Sequence, residues 1–199
     1  MKKLVFEHIR RFWVIYLTLC CVFLAGCAFG AVGINSLGTD KAQELTDFLN
    51  KLLGGQPDIL NTLFLQQLAR DNFIIMAAIL ILGLTVIGAP LVYLIVFSRG
   101  FILGFTIAFI LHAKQWAGLG LLLITVVCPS LIAVPCLLFG SGMATVFSFL
   151  LLQGKLKGDF LKRDFFHYCA AGFLVSLGAL AAGVLQGYFS TLGIRFLGY

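Results

Sequence analysis

The sequence predicts an all-α fold, a polytopic integral membrane bundle of about five transmembrane helices. Of its 199 residues, 61% are hydrophobic and only 11% are charged, and the mean hydropathy is +1.06. A soluble domain needs a more polar surface than this composition provides. The charged residues are clustered, and they leave neutral stretches long enough to cross a hydrocarbon core of about 30 Å. The chain is therefore predicted to form a single transmembrane domain, residues 1–199, in contact with the lipid bilayer.

Two neutral stretches predict the first two spans. No charged residue occurs in 12–39 or in 72–98, and a helix rising about 1.5 Å per residue needs fewer residues than either stretch contains. Within the first stretch, LAGC at 24–27 has the form of a lipoprotein signal-peptidase site. The apolar run nevertheless continues to Leu37, which is typical of a helix that stays in the membrane.

Arg99 follows directly after the second of these stretches. A charged side chain in the middle of a bilayer is usually functional, whereas one at its edge is usually an anchor. Because the preceding run is long enough to have finished crossing, Arg99 is predicted to lie at the inner interface and to reach lipid phosphates. The alternative is a specific intramembrane or partner contact.

The middle of the chain can be divided into spans in two ways. Residues 100–113 reach only about 21 Å as a helix, and the neutral stretch 115–154 is too long for one straight helix and contains Pro129 and Pro135. Either 100–113 crosses with borrowed flanks and the proline-containing stretch crosses once as a broken helix, or the first is re-entrant and the second crosses twice. Both divisions give five spans, the last within 165–194, and one broken or re-entrant segment.

Basic residues predict the orientation. The N-terminal segment 1–11 and the loop 154–164 are rich in Lys and Arg, which accumulate on the cytoplasmic side of a membrane. Both are therefore predicted to be cytoplasmic, and the segment 39–71 is predicted to lie outside. The net charge of +6 reflects this bias. No nucleic-acid partner is predicted, because no basic run is interleaved with exposed aromatic residues.

The outside segment 39–71 has the pattern of an amphipathic helical hairpin. Its first helix ends at Gly54–Gly55, and its second begins at Pro57 and runs into the second span. Apolar residues recur at helical spacing at Leu45, Phe48, Leu49, Leu52 and Leu53, and again at Ile59, Leu60, Leu63, Phe64 and Leu68. Phe48, Leu52 and Phe64 are the candidate partner-binding residues. A cap on the bundle, or a position in the outer interface, is the alternative role.

The chain carries no recognisable catalytic or metal-binding pattern. GxSxG, HExxH and GxxxxGK[ST] do not occur, and the three histidines are far apart. The six cysteines lie in apolar runs without zinc-site or disulfide spacing, and they are predicted to be packing residues. We therefore expect no enzymatic activity, no catalytic residue, no cofactor and no metal.

Small residues spaced four apart predict close helix packing, within the bundle or in a homo-oligomer. Such pairs are Gly26 with Gly30, Gly100 with Gly104, and Gly183 with Gly187. The stretch CPSLIAVPCLLFGSG at 128–142 has the proline and glycine interruptions of broken transporter helices. A transporter or permease component is therefore the alternative function.

Three stretches, in this order and at this spacing, resemble the stage II sporulation protein M family. They are FGAVGINSL at 29–37, LGLTVIGAPLVYLIVFSRGFILGF at 82–105 and GLGLLLITVVCPSLIAVP at 118–135. The similarity runs across essentially the whole chain. It implies a multi-pass plasma-membrane protein at the sporulation septum and in the engulfing mother-cell membrane. It also implies a scaffold that recruits two wall hydrolases, stage II sporulation proteins D and P, a lytic transglycosylase and an amidase or endopeptidase.

The resemblance also singles out individual positions. The matching residues are Asn35, Ser36, Gly88, Pro90, Arg99, Gly100 and Gly104. None of them acquires a chemical role from the resemblance. Their physical interpretation is polar anchoring at the interface for Asn35 and Ser36, helix kinking for Pro90 and close packing for the glycines.

Overall fold

The computed structural model describes residues 13–34, 57–85, 87–122, 126–152 and 159–197. These residues form five helices, and the described part of the chain contains no strand. In chain order the helices are α1 (Trp13–Gly33), α2 (Pro57–Gly83), α3 (Gly88–Leu122), α4 (Cys128–Leu152) and α5 (Asp159–Leu197). The predicted all-α class is confirmed.

Within the described residues, four helical segments are long and apolar enough to cross a membrane. They are Trp13–Gly33, Gly88–Leu111, Cys128–Leu152 and Ala170–Phe189. The remaining helix, α2, begins in polar sequence and is continuously apolar only from Phe73 onward. The architecture is that of a polytopic helical membrane protein.

The distribution of side chains is the reverse of that in a soluble bundle. Large apolar side chains cover the outside of the helices, for example Leu24, Leu94 and Phe173, each at least 60% exposed. Hydroxyl-bearing side chains are buried instead, and Ser141 and Ser148 are at most 1% exposed. Small and hydroxyl-bearing residues inside, with large apolar residues outside, are typical of helices that pack within lipid.

The predicted second span, 72–98, is wrong. Helix α2 ends at Gly83 and α3 begins at Gly88, so a tight turn divides this neutral stretch between two helices. The amide of Thr85 donates to the Leu82 carbonyl at 3.0 Å, and the amide of Gly88 donates to the Thr85 carbonyl at 3.1 Å. A Cβ atom on Gly88 would overlap the Leu82 carbonyl oxygen, so only glycine fits at the start of α3.

Side chains from two other helices bind this turn. The Ser148 hydroxyl of α4 donates to the Thr85 carbonyl at 2.7 Å, and the Tyr168 hydroxyl of α5 donates to the Leu80 carbonyl at 2.8 Å. Carbonyls at a helix end have lost their intrahelical partners, and a buried one must find another donor. The turn is therefore stable inside an apolar stretch that contains no charge.

The turn changes the interpretation of Pro90 and Arg99. Pro90 lies in the first turn of α3, where a missing amide hydrogen breaks no helical bond, so it starts a helix instead of kinking a span. Arg99 lies inside the apolar segment Gly88–Leu111, about 16 Å of helical rise from the start of α3. Its predicted position at the inner interface rests on a span counted from Asn72, and this count has to restart at Gly88.

The remaining ambiguity about 100–113 also disappears. These residues belong to α3, a continuous helix whose segment Gly88–Leu111 includes a borrowed N-terminal flank and is long and apolar enough to cross a membrane, so the re-entrant alternative is wrong. The proline-containing region forms one continuous helix, α4, with Pro135 in its interior, and it is neither broken nor doubled. A π-helical turn at Val126 and Val127 precedes it. Pro129, in the first turn of α4, is fully buried.

The predicted helix start at Pro57 is confirmed, and α2 continues from it into the bundle without a break. The first helix of the predicted hairpin lies outside the described residues. The loop predicted at 154–164 is partly helical, because α5 begins at Asp159.

Glycines bring α1 and α3 into backbone contact. A Cβ atom on Gly30 would overlap the Phe101 carbonyl oxygen, and one on Gly104 would overlap the Cys27 carbonyl oxygen. Gly26 and Gly100 are confined in the same way, by the carbonyls of Phe97 and Phe23. Two of the predicted small-residue pairs therefore pack against each other, which is the close approach that such pairs permit in membranes.

Four chain segments meet at one end of the bundle, which we call the turn end because the 84–87 turn lies there. The hydroxyls of Thr18 in α1 and Tyr93 in α3 are 2.8 Å apart, and each residue lies within about 8 Å of helical rise from the start of its helix. The rings of Phe147 in α4 and Tyr168 in α5 stack at 4.4 Å, and Tyr168 also binds the end of α2. The start of α1, the end of α4 and the start of α5 are therefore on one side.

Candidate functional site

The bundle encloses a cavity of about 150 Å³ that touches all five helices. This volume is comparable to a cavity that holds a benzene-sized group. The cavity is partly open to the surroundings of the bundle. Its polar lining residues are Asn72 of α2, Arg99 and Thr106 of α3, Ser130 of α4 and Gln186 of α5. Its other walls are mostly aliphatic.

Among the described residues that line this cavity, Arg99 is the only ionisable one. Helix α3 places it there because Gly100, the next residue, faces α1, and successive helical side chains point about 100° apart. Asp71 of α2 interacts with the guanidinium electrostatically. No described residue accepts a hydrogen bond from it or lies within ion-pair distance of it.

The neutral polar residues of the cavity fall into two groups. The Asn72 side chain donates to the Gln186 carbonyl oxygen at 3.4 Å, and this bond joins α2 to α5. The hydroxyls of Ser130 and Thr106 donate to their own helices, to Val126 at 2.6 Å and Ile102 at 2.8 Å. The two hydroxyls therefore have no proton left for a ligand, whereas the two amides keep unused N–H groups.

The chemistry of the lining favours hydrogen-bond acceptors. A guanidinium presents five N–H donors and no acceptor, and amide NH₂ groups add neutral donors beside it. Such a set, partly removed from water, binds negatively charged oxygens strongly because the local dielectric constant is low. Within the described ranges, no three His, Cys, Asp or Glu side chains are grouped so that they can hold a metal ion.

The structure brings together only part of the predicted site. Arg99 lines the cavity, and Pro129 and Pro135 lie on the helix that forms one of its walls. Gly100 and Gly104 form the α1 contact instead, and Gly88 and Pro90 lie at the turn end. Phe48, Leu52, Asn35 and Ser36 are outside the described residues. Phe64 lies on α2, but its side chain is not among those described.

Sequence reasoning missed three residues of the cavity, Asn72, Thr106 and Gln186. Asn72 served only as the boundary of a neutral stretch, and Gln186 was one polar residue in an apolar run. Amide side chains within predicted spans are themselves a signal, because an amide in hydrocarbon needs a hydrogen-bond partner on another helix.

Residues 19–191 match the family model of stage II sporulation protein M. The matched region covers most of the chain and includes every residue that lines the cavity. Comparison with curated proteins and with solved structures gave no match.

Proposed function

Because the chain belongs to the stage II sporulation protein M family, a family of sporulation membrane proteins, we propose that it is a non-enzymatic membrane scaffold. In this proposal it recruits peptidoglycan hydrolases to the sporulation septum, where the mother-cell membrane engulfs the forespore. The hydrolases are membrane-anchored proteins resembling stage II sporulation proteins D and P, and they perform the wall chemistry. The chain itself holds them in place.

The observation that carries the proposal is the length of α2. Its 27 residues span about 40 Å, which exceeds a hydrocarbon core of about 30 Å. The first half is polar and amphipathic, with Asp58, Gln66 and Arg70 among its residues, and it continues into the bundle without a break. The excess of about 10 Å extends the first turns of α2 beyond the core as a helical arm, and such an arm suits docking of an extracytoplasmic partner.

Helix α3 supports the same interpretation. It rises from the turn end for 35 residues, about 52 Å, which exceeds a hydrocarbon core of about 30 Å. The remainder includes Lys114, the first charged residue after Arg99. Because the 84–87 turn makes α2 and α3 antiparallel, both arms extend from the same side of the membrane.

The arms lie outside the cell in the proposed topology. The basic segments 1–11 and 155–163 are both adjacent to the turn end, since they adjoin the starts of α1 and α5 and the end of α4. Their positive charge supports a cytoplasmic position for the turn end. The segment 34–56 and the polar arms are then extracytoplasmic, and five helices carry the chain across.

Cysteine labelling tests this topology. In a variant without native cysteines, we expect Gly55→Cys to react with a membrane-impermeant maleimide on intact spheroplasts. Lys157→Cys is the matched control, and we expect it to react only after permeabilisation. The reverse pattern would place the arms in the cytoplasm and contradict docking of wall hydrolases there.

Cross-linking in sporulating cells tests the function. The tagged full-length chain is cross-linked, purified and analysed by mass spectrometry. We expect a lytic transglycosylase and an amidase or endopeptidase at yields at least tenfold above those from an unrelated tagged membrane protein. Recovery of neither hydrolase, with the chain intact in the membrane, would contradict the scaffold function.

A second candidate function, transport, is favoured by one observation. The N-terminal half of α4, with its two prolines, lines a cavity that contains an ionisable residue, Arg99, and transporter sites are often built this way. A stable complex with an ATPase in the same purification, in place of hydrolases, would favour this candidate. Hydrolases without an ATPase would favour the scaffold.

A further inference from the structure

The scaffold function gives no role to the charge of Arg99. An ionisable side chain inside a membrane span is expensive, and such residues usually pair with one another or bind a substrate or ion. The described residues supply no group that accepts a hydrogen bond from this guanidinium or lies within ion-pair distance of it. Asp71 interacts with it electrostatically but is itself exposed, so its carboxylate does not fill the cavity.

The unused hydrogen-bonding groups around Arg99 are mainly donors. The bond between Asn72 and Gln186 uses one N–H of Asn72, which leaves its second N–H and both N–H groups of Gln186. The protons of Ser130 and Thr106 are already bound to backbone carbonyls. A ligand that carries negative charge and accepts hydrogen bonds satisfies most of this set, because the N–H donors outnumber the remaining acceptors, such as the Asn72 carbonyl oxygen.

The cavity extends along α3 and has apolar walls beside its polar residues. Along α3 the lining continues from Arg99 to Thr106, about 10 Å further from the turn end. Leu103, Val134 and Leu137 form apolar walls beside the polar residues. The volume of about 150 Å³ exceeds that of a single water, since one water needs only about 10–15 Å³ by the same measure.

We propose that this cavity binds a phosphate group, with Arg99 as its charge partner and the amides of Asn72 and Gln186 as neutral donors. Guanidinium pairs with phosphate through two parallel hydrogen bonds, and the amides complete the contacts to the remaining oxygens. The phosphate comes from a lipid headgroup or from free phosphate. The apolar walls fit the hydrocarbon portion of a lipid, and the same chemistry at Arg99 serves either source.

Ligand binding to the detergent-solubilised full-length chain tests this site. Native mass spectrometry measures the fraction of protein that carries phosphatidylglycerol, with diacylglycerol of the same acyl chains as the lipid without phosphate. We expect binding of phosphatidylglycerol at least tenfold tighter than that of diacylglycerol. Inorganic phosphate added to the complex distinguishes the sources: displacement identifies a site for free phosphate as well, and retention identifies a lipid site.

Charge-matched variants locate the binding. We expect Arg99→Gln to weaken phosphatidylglycerol binding at least tenfold. Arg70→Gln removes the same charge from an exposed position outside the cavity, and we expect less than a twofold change. Asp71→Asn removes the nearest carboxylate, which competes for the guanidinium, so we expect binding two- to fivefold tighter.

Gln186→Leu keeps the test decisive if Arg99→Gln does not fold. It removes two donors without changing the charge, and we expect three- to tenfold weaker binding. A folded Arg99→Gln or Gln186→Leu protein that binds as much phosphatidylglycerol as the wild type would overturn the proposal. Equal binding of diacylglycerol and phosphatidylglycerol would overturn it as well.

Discussion

Replacement of Gly104 by leucine is expected to prevent α1 and α3 from packing and to remove most of the folded protein. A Cβ atom at Gly104 overlaps the Cys27 carbonyl oxygen and lies 2.7 Å from the Cys27 Cα atom. These are backbone atoms, so no side chain can rotate away, and the two helices have to separate. Overpacking costs about 1–3 kcal/mol even where relaxation is possible, and we expect a loss of at least about 3 kcal/mol for leucine here.

Alanine variants provide a matched measurement with a single added carbon. Unfolding in mixed detergent micelles should show Gly104→Ala and Gly30→Ala destabilised by about 1–3 kcal/mol. At Gly33, also on α1, the added Cβ would lie 3.5 Å from the Phe101 ring, an ordinary contact. We expect Gly33→Ala to be neutral or slightly stabilising, because alanine favours a helix by up to about 1 kcal/mol over glycine. Equal stabilities at Gly33 and Gly104 would contradict the backbone contact.

Charged residues at Phe48 and Leu52 are expected to abolish hydrolase recruitment while insertion remains intact. These side chains are predicted to form the apolar face of the first outside helix, and burial of each against a partner contributes about 1.5–3 kcal/mol. Loss of both corresponds to at least a tenfold weaker interaction. The measurement is the yield of each hydrolase in cross-linked purifications of the Phe48→Glu, Leu52→Glu double variant.

Lys51→Gln is the control for this double variant. It alters charge on the same predicted helix but on its polar face, so hydrolase yield should stay within twofold of the wild type. Unchanged recruitment by the double variant would make the hairpin a structural cap. Phe64, in the N-terminal half of α2, or the C-terminal part of α3 would then be the next surface to alter.

The sequence predicted the close-packing glycine faces of α1 and α3 better than the boundaries of the spans. This pattern can be recognised from nearby positions alone, because a small residue every four positions makes one smooth helix face. The residues concerned are Gly26, Gly30, Gly100 and Gly104. Pro57 was a correct helix start for a similar reason, because proline fits the first turn. Neither inference needed knowledge of the neighbouring helices beyond their existence.

The turn between α2 and α3 was missed because hydropathy cannot detect a turn without polar residues. Its signals were Gly83, Thr85, Gly88 and Pro90, which punctuate the chain within a few positions. What makes the turn stable is supplied by distant residues, the hydroxyls of Ser148 and Tyr168. Counting the span from Asn72 instead of Gly88 predicts Arg99 at a membrane edge. In the structure Arg99 lies within α3 and lines the cavity, which the sequence therefore did not predict.

The cavity itself depends on tertiary packing. Asn72 and Gln186 are 114 positions apart, and each is only an isolated amide in the sequence. Their pairing follows from the contact of α2 with α5, and the exposure of Arg99 to the same space follows from Gly100 facing α1. No pattern in the sequence indicates this arrangement unless the contacts between the helices are known.

Photo-cross-linking from position 52 in sporulating cells tests the docking of hydrolases most directly. A photoreactive amino acid replaces Leu52, and the control replaces Leu94, which is 63% exposed on the outside of α3 within its apolar segment. We expect adducts with a lytic transglycosylase or an amidase from position 52 and none from position 94. Hydrolase adducts from position 94 alone, or from neither position while the chain is present in the membrane, would contradict recruitment through the outside segment.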